Sequence, residues 1–481
     1  MPAAIFRRNK KMSPETTSDP RAQTCPYAAM ASGQIALGAG TGRRAPLIKS
    51  TPLIGPIRQF TGDVVGFLNR TRKTYGDVFR LRILGVDMTV LSGLDAISML
   101  ENDELLSTTD SMEVLMKAVK SRLPGTFDGP QHRSFRKLHS GFLNRGLERD
   151  RRDEVFDCVS RHVQAWDAGY EFDPLHESQS QTVDILSNVL NGEPFPFSSK
   201  DLSTVVHTLI MATYGHVPLW LALNNPRYRA AQKRMNKHAL ELVARVRKDP
   251  ALQASTLVGQ YLSHEPPAGM DQWDDDDLKI VPLAAYLAGY DTVASAATSM
   301  LYRLLSNPDC LARVRQEYQQ LAQQADGHVD PMKQKYLRAA FLETTRINPP
   351  GAIVMRYATQ DFQYKGYTLR KGDQVLIQIS SDHMNETLFP EPERFDPERF
   401  LGDNATELKR AVLTFGSGAH RCTGAAIGPL FCQEMVSYWV NHFDLELVPG
   451  KDKPKIVAMP FTQPMGLRIR VTGRRLPALA A

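Results

Sequence analysis

The sequence holds few cysteines, and their arrangement argues against two common kinds of stabilising cross-link. Only five cysteines occur in 481 residues, the count is odd, and no two have the C-x-x-C spacing. A disulfide framework or a zinc site is therefore not expected, and a reducing compartment is favoured. We expect a cytoplasmic protein. The N-terminal segment is basic and poor in acids, which leaves the matrix of an organelle as the alternative.

Long apolar runs and a large excess of one charge are also missing. No stretch approaches the ~20 consecutive apolar residues that a spanning helix needs, so no transmembrane anchor is expected. Lys and Arg number 58 against 52 Asp and Glu, which gives a net charge of +6. This excess is too small to indicate nucleic-acid binding. Hydrophobic residues form 42% of the chain, which is enough for a large buried core.

The chain is predicted to consist of a tail followed by one large unit. Residues 1–50 are polar and rich in small residues, and we expect a flexible N-terminal tail there. Residues 51–481 contain no linker-like run and no internal repeat, which predicts a single domain. Their patterns are mostly helical with a few short β-branched runs. The predicted fold class is therefore mainly α with small β-sheets (α+β).

Three helices can be placed from composition and capping residues. The stretch 277–306 is apolar on all sides, which predicts a long helix through the interior of the protein. A second helix is predicted from Asp330, a natural N-cap, up to the residue before Pro349. A third is predicted over 425–441, with a kink at the Gly428-Pro429 pair. Hairpin strands are predicted around two Lys-Gly pairs, at 365–366 and 371–372.

The stretch FGSGAHRCTG at 415–424 places one cysteine among glycines and basic side chains. A lone cysteine is most often a buried structural residue. Here the glycines let the backbone approach a bulky group, and the helix N-terminus that follows favours a thiolate at Cys422. A catalytic thiol would need a histidine base in a known signature, and none is present. The pattern therefore favours a thiolate that binds a metal.

The same stretch resembles the haem-binding loop of the cytochrome P450 superfamily, F-G-x-G-x-H-x-C-x-G. The resemblance implies the P450 fold, with a long buried helix over the haem. It also implies haem b (iron protoporphyrin IX) with Cys422 as its axial ligand. Within the loop, Phe415 would shield the sulfur and His420 would contact a haem propionate. The backbone would turn beneath the macrocycle at three glycines: Gly416, Gly418 and Gly424.

The second predicted helix carries an E-x-x-R motif. Glu343 and Arg346, at i and i+3, lie on one face, and such a pair is usually a solvated surface ion pair. The resemblance instead implies a structural triad with Arg399 of the segment FDPERF.

The long apolar helix contains the polar pair Asp291-Thr292. Such residues are costly in an apolar helix unless something uses them, and a local hydrogen bond from the threonine is the alternative. The resemblance implies a catalytic role, in which Thr292 holds water and Asp291 relays protons. It further implies that His132, Arg136 and Arg356 contact the haem propionates, where an exposed basic helix would be the default interpretation for the first two.

A substrate pocket is expected beside the long helix. Its predicted lining residues are Ala285, Ala288, Gly289, Ala352, Ile353, Val354 and Phe461, together with Met459 and Met465, and residues 112–123 are expected to close the entrance. These are mainly apolar side chains, each of which could equally be plain core. The substrate is expected to be a hydrophobic small molecule of terpenoid, steroid, fatty acyl or polyketide type.

The resemblance implies an O2-dependent monooxygenase that hydroxylates or otherwise oxidises this molecule. Because no flavin or iron–sulfur motif is present, electrons are expected from a ferredoxin or flavodoxin-type donor with its NAD(P)H reductase. Basic residues are expected to dock this donor by electrostatic attraction, unless they form a solvated face. They are Arg133, Arg136, Lys137, Arg145, Arg149, Arg151 and Arg152.

Other functions remain as alternatives at this point. A haem-thiolate isomerase, dehydratase or peroxygenase would not use O2, and the presence of Asp291-Thr292 disfavours these enzymes. A haem-based gas sensor should carry a signalling or DNA-binding module, which the sequence does not suggest. If Cys422 were only structural, the chain could be a helical binding protein.

Overall fold

The structure, a computed structural model, describes residues 35–37, 42–52, 54–121, 126–213, 217–266, 271–324, 328–458 and 461–476. Helices dominate these residues, and the strands form small sheets, so the predicted fold class is confirmed.

The helices differ widely in length. In chain order they are α1 Ile57–Gly62, α2 Val64–Tyr75, α3 Leu94–Ser98, α4 Thr109–Val119, α5 Gly129–Phe142, α6 Arg145–Asp150, α7 Arg152–His162, α8 Pro174–Asn191, α9 Ser199–Thr213, α10 Leu219–Leu223, α11 Pro226–Val246, α12 Pro250–Ser255, α13 Leu257–Leu262, α14 Asp275–Leu305, α15 Pro308–Ala322, α16 Lys335–Ile347, α17 Ala405–Ala411 and α18 Gly428–His442.

The strands form four small sheets. In chain order they are β1 Ile35–Leu37, β2 Val78–Ile83, β3 Val86–Ser92, β4 Leu106–Ser107, β5 Glu171–Phe172, β6 Val354–Ala358, β7 Phe362–Tyr364, β8 Tyr367–Leu369, β9 Gln374–Gln378, β10 Phe443–Leu447, β11 Lys455–Ala458, β12 Thr462–Met465 and β13 Ile469–Arg474. The largest sheet has the order β2-β3-β9-β6-β4, in which only β3 and β9 run parallel. The others are β1-β7-β8, β10-β13-β5 and the hairpin β11-β12.

Helix α14 is the long interior helix that the sequence predicts. Its first turn is fixed by a reciprocal capping box between Asp274 and Asp277, and it continues for 31 residues. It packs against α8, α11 and α18 in the main hydrophobic core. By length and composition alone α14 could cross a bilayer, but 61% of its most apolar window is buried inside the protein, which is the pattern of a core helix.

Two predicted helix boundaries are wrong. Asp330 caps only a short 3-10 turn, Pro331–Lys333, and α16 begins at Lys335. The break lies at Gln334, whose extended backbone accompanies a buried hydrogen bond from its side chain to Ser437. The predicted third helix begins later, as α18 at Gly428. The predicted kink is absent there because Gly428 and Pro429 are the first two residues of α18, where proline needs no hydrogen-bond acceptor.

One of the two predicted hairpins is present. Lys365 and Gly366, each with positive φ, connect the paired strands β7 and β8. The hairpin predicted at Lys371-Gly372 is wrong, because β8 and β9 on either side of it belong to different sheets. Part of the segment predicted to be a tail packs on the main body. β1 pairs with β7, and Ala45 and Ile48 are buried. The division of the chain at residue 50 stays a prediction.

Candidate functional site

The cysteine loop has a defined backbone between α17 and α18. The N–H of Cys422 donates to the carbonyl of Phe415 at 2.9 Å, and the N–H of Gly416 donates to the carbonyl of Leu413 at 2.9 Å. Gly416 and Gly418 have φ of 68° and 75°, the left-handed region that favours glycine. A Cβ on Gly418 would also lie 2.9 Å from the carbonyl oxygen of Leu100. The glycines therefore permit both the turn and its close approach to the segment before β4.

Cys422 is accessible to solvent, although many protein atoms surround its side chain. The residue is exposed, while its neighbour Thr423 borders the cavity described below. Burial raises the pKa of the thiol, and three groups act against this effect: the N–H of Gly424, which bonds to the sulfur, and the charges of Arg136 and Arg421. These groups favour the thiolate form.

Basic side chains from three elements meet beside this loop. The rings of His132 and His420 stack with centroids 3.8 Å apart, and Arg136 donates to the carbonyl of Cys422 at 3.4 Å. Burial, the charge of His420 and that of Arg136 together lower the pKa of His132 to about 3, with a further contribution from Arg356. The Nδ1 atom of His132 is buried and, within the described residues, has no hydrogen-bond partner. The structure thus brings His132, Arg136, Arg356 and His420 together.

Two acids complete this cluster, and the sequence reasoning missed them. The Nε2 atom of His420 lies 3.3 Å from Asp128 and 3.6 Å from Asp103. Asp128 also accepts hydrogen bonds from Ser107 and from the backbone N–H groups of Thr108 and Thr109. Although burial opposes it, this set of donors holds the pKa of Asp128 well below its usual range. The only signal in the sequence was the position of Asp128 directly before Gly-Pro, typical of a helix start.

The E-x-x-R pair is fully buried and bidentate. Glu343 and Arg346 are joined by two 2.7 Å hydrogen bonds, and neither side chain is exposed. Arg399 reaches the same carboxylate at 3.3 Å. Arg346 also donates to the carbonyls of His383 and Pro392 at 2.7 Å.

A short chain of hydrogen bonds connects this triad to the cysteine loop. His383 contacts the carbonyl of Arg346 through Nδ1 and accepts the N–H of Leu413 at Nε2. The hydroxyl of Thr414 donates to that of Thr345 on α16 at 2.8 Å. Leu413 and Thr414 directly precede Phe415, so the buried triad positions the start of the loop.

Asp291 and Thr292 lie in the middle of α14. Asp291 is buried and accepts a hydrogen bond from Gln179 of α8 at 2.9 Å. Burial raises the pKa of Asp291, against the hydrogen bonds from Gln179 and Gln463 and the charge of His207. The hydroxyl of Thr292 donates to the carbonyl of Ala288 at 3.0 Å. The local hydrogen bond considered for this threonine is therefore present.

A cavity of about 330 Å³ lies between α14, α5 and α9. Its lining is mostly aliphatic, and it includes the predicted residues Ala285, Ala288 and Phe461, together with His132, Arg136 and Thr423. Met112 and Leu115 of α4 also contribute, while 122–123 of the predicted entrance lie outside the described residues.

Four predicted lining residues do not border this cavity. Gly289 faces α8, because a Cβ there would lie 2.9 Å from Leu186. Ala352, Ile353 and Val354 pack instead into the cores beside the largest sheet. Among the two methionines, Met465 is partly exposed on β12, and Met459 lies outside the described residues.

Fewer of the basic residues near α5 are available to dock an electron donor than the sequence predicted. Arg151 pairs with Glu154 at 2.5 Å, and Arg152 pairs with Asp330 at 3.0 Å. Arg149 is exposed beside Asp150. Arg133 and Lys137 are exposed on α5, and the side chain of Arg145 lies outside the described residues. Internal ion pairs thus neutralise part of the predicted docking charge.

Comparison with known proteins shows the family. The profile described as Cytochrome P450 matches residues 46–469. The chain belongs to the cytochrome P450 family. It is 25% identical to abscisic acid 8'-hydroxylase CYP707A1 of Solanum lycopersicum over 83% of this chain and 84% of that one. A second relative, cyclooctat-9-en-7-ol 5-monooxygenase of Streptomyces melanosporofaciens, is 29% identical over 52% of this chain and 54% of its own.

The fold of this P450 is also seen in a solved relative. The structure of retinoic acid-bound cyanobacterial CYP120A1 superposes with a TM-score of 0.75 at 24% identity, covering 90% of this chain and 99% of that one. The recognised family and the predicted P450 fold are confirmed. The chain is a P450 monooxygenase, and its family implies a haem cofactor.

The described residues fit such a group. Haem combines an apolar macrocycle with two carboxylates, and the site offers an apolar cavity beside basic groups from α5, β6 and the cysteine loop. The buried His132 Nδ1, which lacks a partner among the described residues, is an atom to which a propionate of such a group could be hydrogen-bonded. Cys422 supplies the soft sulfur donor that iron accepts.

Proposed function

We propose that this P450 is a haem-thiolate monooxygenase that oxidises a hydrophobic small molecule of terpenoid, steroid, fatty acyl or polyketide type. The 330 Å³ cavity would hold the haem beside His132, Arg136 and Thr423, and its aliphatic residues on α9 and α14 carry this proposal, because such a surface selects an apolar ligand. Two of the relatives described above are named for abscisic acid and cyclooctat-9-en-7-ol, and the solved structure is bound to retinoic acid. These molecules agree with a largely apolar substrate that carries oxygen.

Haem b would be held by Cys422 through its thiolate and by His132, Arg136, Arg356 and His420 through its propionates. When bound, the haem supplies the dioxygen chemistry. The basic cluster favours two carboxylates by charge-assisted hydrogen bonds. The N–H of Gly424 and the guanidinium of Arg136 stabilise negative charge at and beside the sulfur. Phe415, half-buried against α16 and Gly428, would shield the sulfur from water.

Asp291 and Thr292 would handle protons. Burial raises the pKa of Asp291, which helps this carboxyl to carry a proton inside the protein. Thr292 lies one turn after the cavity-lining Ala288, to whose carbonyl its hydroxyl donates. In that position the hydroxyl can accept a hydrogen bond from water and hold it near the reacting oxygen. The presence of this pair favours an oxygen-using enzyme over an isomerase, a dehydratase or a peroxygenase.

Electrons would come from a separate ferredoxin or flavodoxin-type protein. The exposed basic residues Arg133, Lys137 and Arg149 support docking near α5. Arg151 and Arg152 contribute less to the proposed attraction, because they are paired with internal acids.

Substitution of Thr292 tests the monooxygenase proposal. Thr292→Ala should keep haem content and the CO spectrum, but divert at least about tenfold more of the reducing equivalents to peroxide. Thr292→Ser, which keeps a hydroxyl, is the matched control and should stay coupled. The measurement is peroxide released per NAD(P)H oxidised, in the presence of a ligand that shifts the spin state.

Three outcomes would contradict the proposal. Normal coupling in Thr292→Ala would remove the proposed role of the hydroxyl. Turnover of a spin-shifting ligand without consumption of O2 would instead support the isomerase or dehydratase alternative, and turnover driven only by added peroxide would support a peroxygenase.

A further inference from the structure

A second pocket lies apart from the 330 Å³ cavity beside the cysteine loop, which is called the haem cavity below. It has a volume of about 230 Å³ and is formed by the C-terminal half of α14, the residue after α16 and the hairpin β11-β12. Its polar lining consists of Ser299, Tyr302, Arg303, Asn348 and Lys453. No carboxylate lines it, and it shares no lining residue with the haem cavity.

Arg303 is the unusual member of this pocket. The residue is half-buried, and this burial lowers the pKa of its guanidinium. Nε and Nη2 both donate to the Oδ1 atom of Asn348, at 3.1 and 2.8 Å, so the partner is a neutral amide. Among the described residues Arg303 forms no ion pair. The carboxylate of Glu343 is near enough to raise the pKa of Arg303, but Arg346 and Arg399 already occupy it.

A buried charge without an opposite charge is costly, and the cost falls when a counter-ion is supplied. Lys453 brings a second positive charge to the same pocket, and it too forms no ion pair within the described part of the chain. Two cations that form no ion pair among the described residues, two hydroxyl groups and an amide therefore line a pocket that contains no carboxylate in its lining. This is the donor set that a phosphate group requires.

We propose that this pocket binds a small oxyanion, specifically a phosphate group, between Arg303 and Lys453. The group can be free phosphate or part of a small phosphomonoester, because Lys453, which lines the pocket, is exposed to solvent. The phosphate would contact the edge of the Arg303 guanidinium that does not bond to Asn348. Asn348 holds the other edge in place through its two hydrogen bonds.

The bound anion would join two parts of the haem domain. Lys453 lies two residues before β11, and Arg303 belongs to α14. Phe461, which directly precedes β12, lines the haem cavity. The next residue, Thr462, is already fixed at both backbone groups: its N–H donates to Pro350 and its carbonyl accepts from Ser295 of α14. Anion binding therefore adds a contact to the element that presents Phe461 to the substrate.

Calorimetry on the holoenzyme tests this site. Inorganic phosphate and glycerol 2-phosphate are titrated in a zwitterionic buffer, with chloride at matched ionic strength as the reference. We expect saturable 1:1 binding of phosphate and a rise in the unfolding temperature that chloride does not give. Arg303→Gln should raise the phosphate Kd at least about tenfold. Lys453→Gln should raise it about threefold, since this charge is exposed.

The control is Lys455→Gln, which removes an exposed lysine that lies two residues away and outside the pocket. Lys453 is at the surface, so its variant should fold even if Arg303→Gln does not. Equal weakening by Lys455→Gln would reduce the effect to general charge screening and overturn the site. A phosphate effect no larger than that of chloride would also overturn it. Tighter binding of glycerol 2-phosphate than of phosphate would identify a phosphomonoester as the preferred source of the group.

Discussion

The position of Cys422 and the charge state of its thiol depend on hydrogen bonds with the neighbouring backbone. Its N–H closes the loop onto Phe415, and its sulfur accepts the N–H of Gly424. The pKa of the thiol is nevertheless raised by burial, so the thiolate needs a counter-charge from a bound metal ion to be favoured. The proposed role of this residue therefore makes a spectroscopic prediction.

Cys422→Ser should abolish the red-shifted thiolate band of the reduced CO complex, because a serine oxygen cannot provide the soft, electron-rich sulfur ligand. Cys310→Ser is the matched control, since Cys310 is half-buried in a different element, α15. The CO difference spectrum of dithionite-reduced protein measures both variants. A persisting thiolate band in Cys422→Ser would assign the ligand to another cysteine.

At the scale of elements, α16 carries a Glu–Arg ion pair that sequence spacing alone does not distinguish from an exposed surface pair. Glu343 with Arg346 and Glu391 with Arg394 are both Glu–Arg pairs at i and i+3. The first pair is fully buried and tied to Arg399, whereas the second is exposed on both sides. Equal spacing thus leads to very different energies, because desolvation makes an unpaired partner costly only in the interior.

Glu343→Gln should destabilise the fold by about 3–5 kcal/mol and reduce haem incorporation, because it leaves two buried guanidinium groups without a carboxylate. Glu391→Gln, the control with the same spacing, should cost under ~1 kcal/mol. Urea unfolding and the haem-to-protein absorbance ratio measure these effects. Equal losses in the two variants would contradict a special role for the buried triad.

The sequence predicted helix α14 but misplaced the starts of helices α16 and α18. The apolar composition of 277–306 was sufficient to predict the interior helix, since no other environment accepts apolar residues on all sides. The same approach failed at the starts of α16 and α18. There a tertiary hydrogen bond of Gln334 and the exact cap position of Gly428 determine the boundary.

At the scale of the whole molecule, burial of neutral histidines makes stability depend on pH. Burial, with the charge of Arg346, lowers the pKa of His383 to about 4, against 6.5 in the unfolded chain. The unfolded state therefore binds more protons below pH 6.5. The stabilisation is fully present above pH 6.5 and is lost as the pH falls towards 4.

For His383 this amounts to about 2 kcal/mol between pH 7.5 and pH 5. His383→Gln should lower stability at pH 7.5 but show a shallower decrease on acidification than the wild type. The measurement is the urea midpoint at pH 7.5, 6 and 5. His176→Gln, which replaces an exposed histidine on α8, is the control and should reproduce the slope of the wild type. Parallel slopes for wild type and His383→Gln would show that this group does not titrate between the two states.

Much of the site could be predicted because its residues are grouped in short local motifs. The loop at 415–424, the E-x-x-R pair and the Asp291-Thr292 pair each fall within one element, and spacing alone places their members together. The lining of the cavity was predicted less well. Gly289 faces Leu186 rather than the cavity, because the face that a helix residue presents depends on which neighbour packs there.

By itself, the sequence determined the family, the mainly helical fold, the long interior helix and the cysteine loop, since each of these is set by local spacing and apolar composition. Only the tertiary structure decided which charges are paired. It placed Asp103 and Asp128 against His420, engaged Arg152 with Asp330, and left the half-buried Arg303 without an ion pair among the described residues. These partners are distant in sequence, and a charge gains or loses its partner through burial and packing, which no local pattern records.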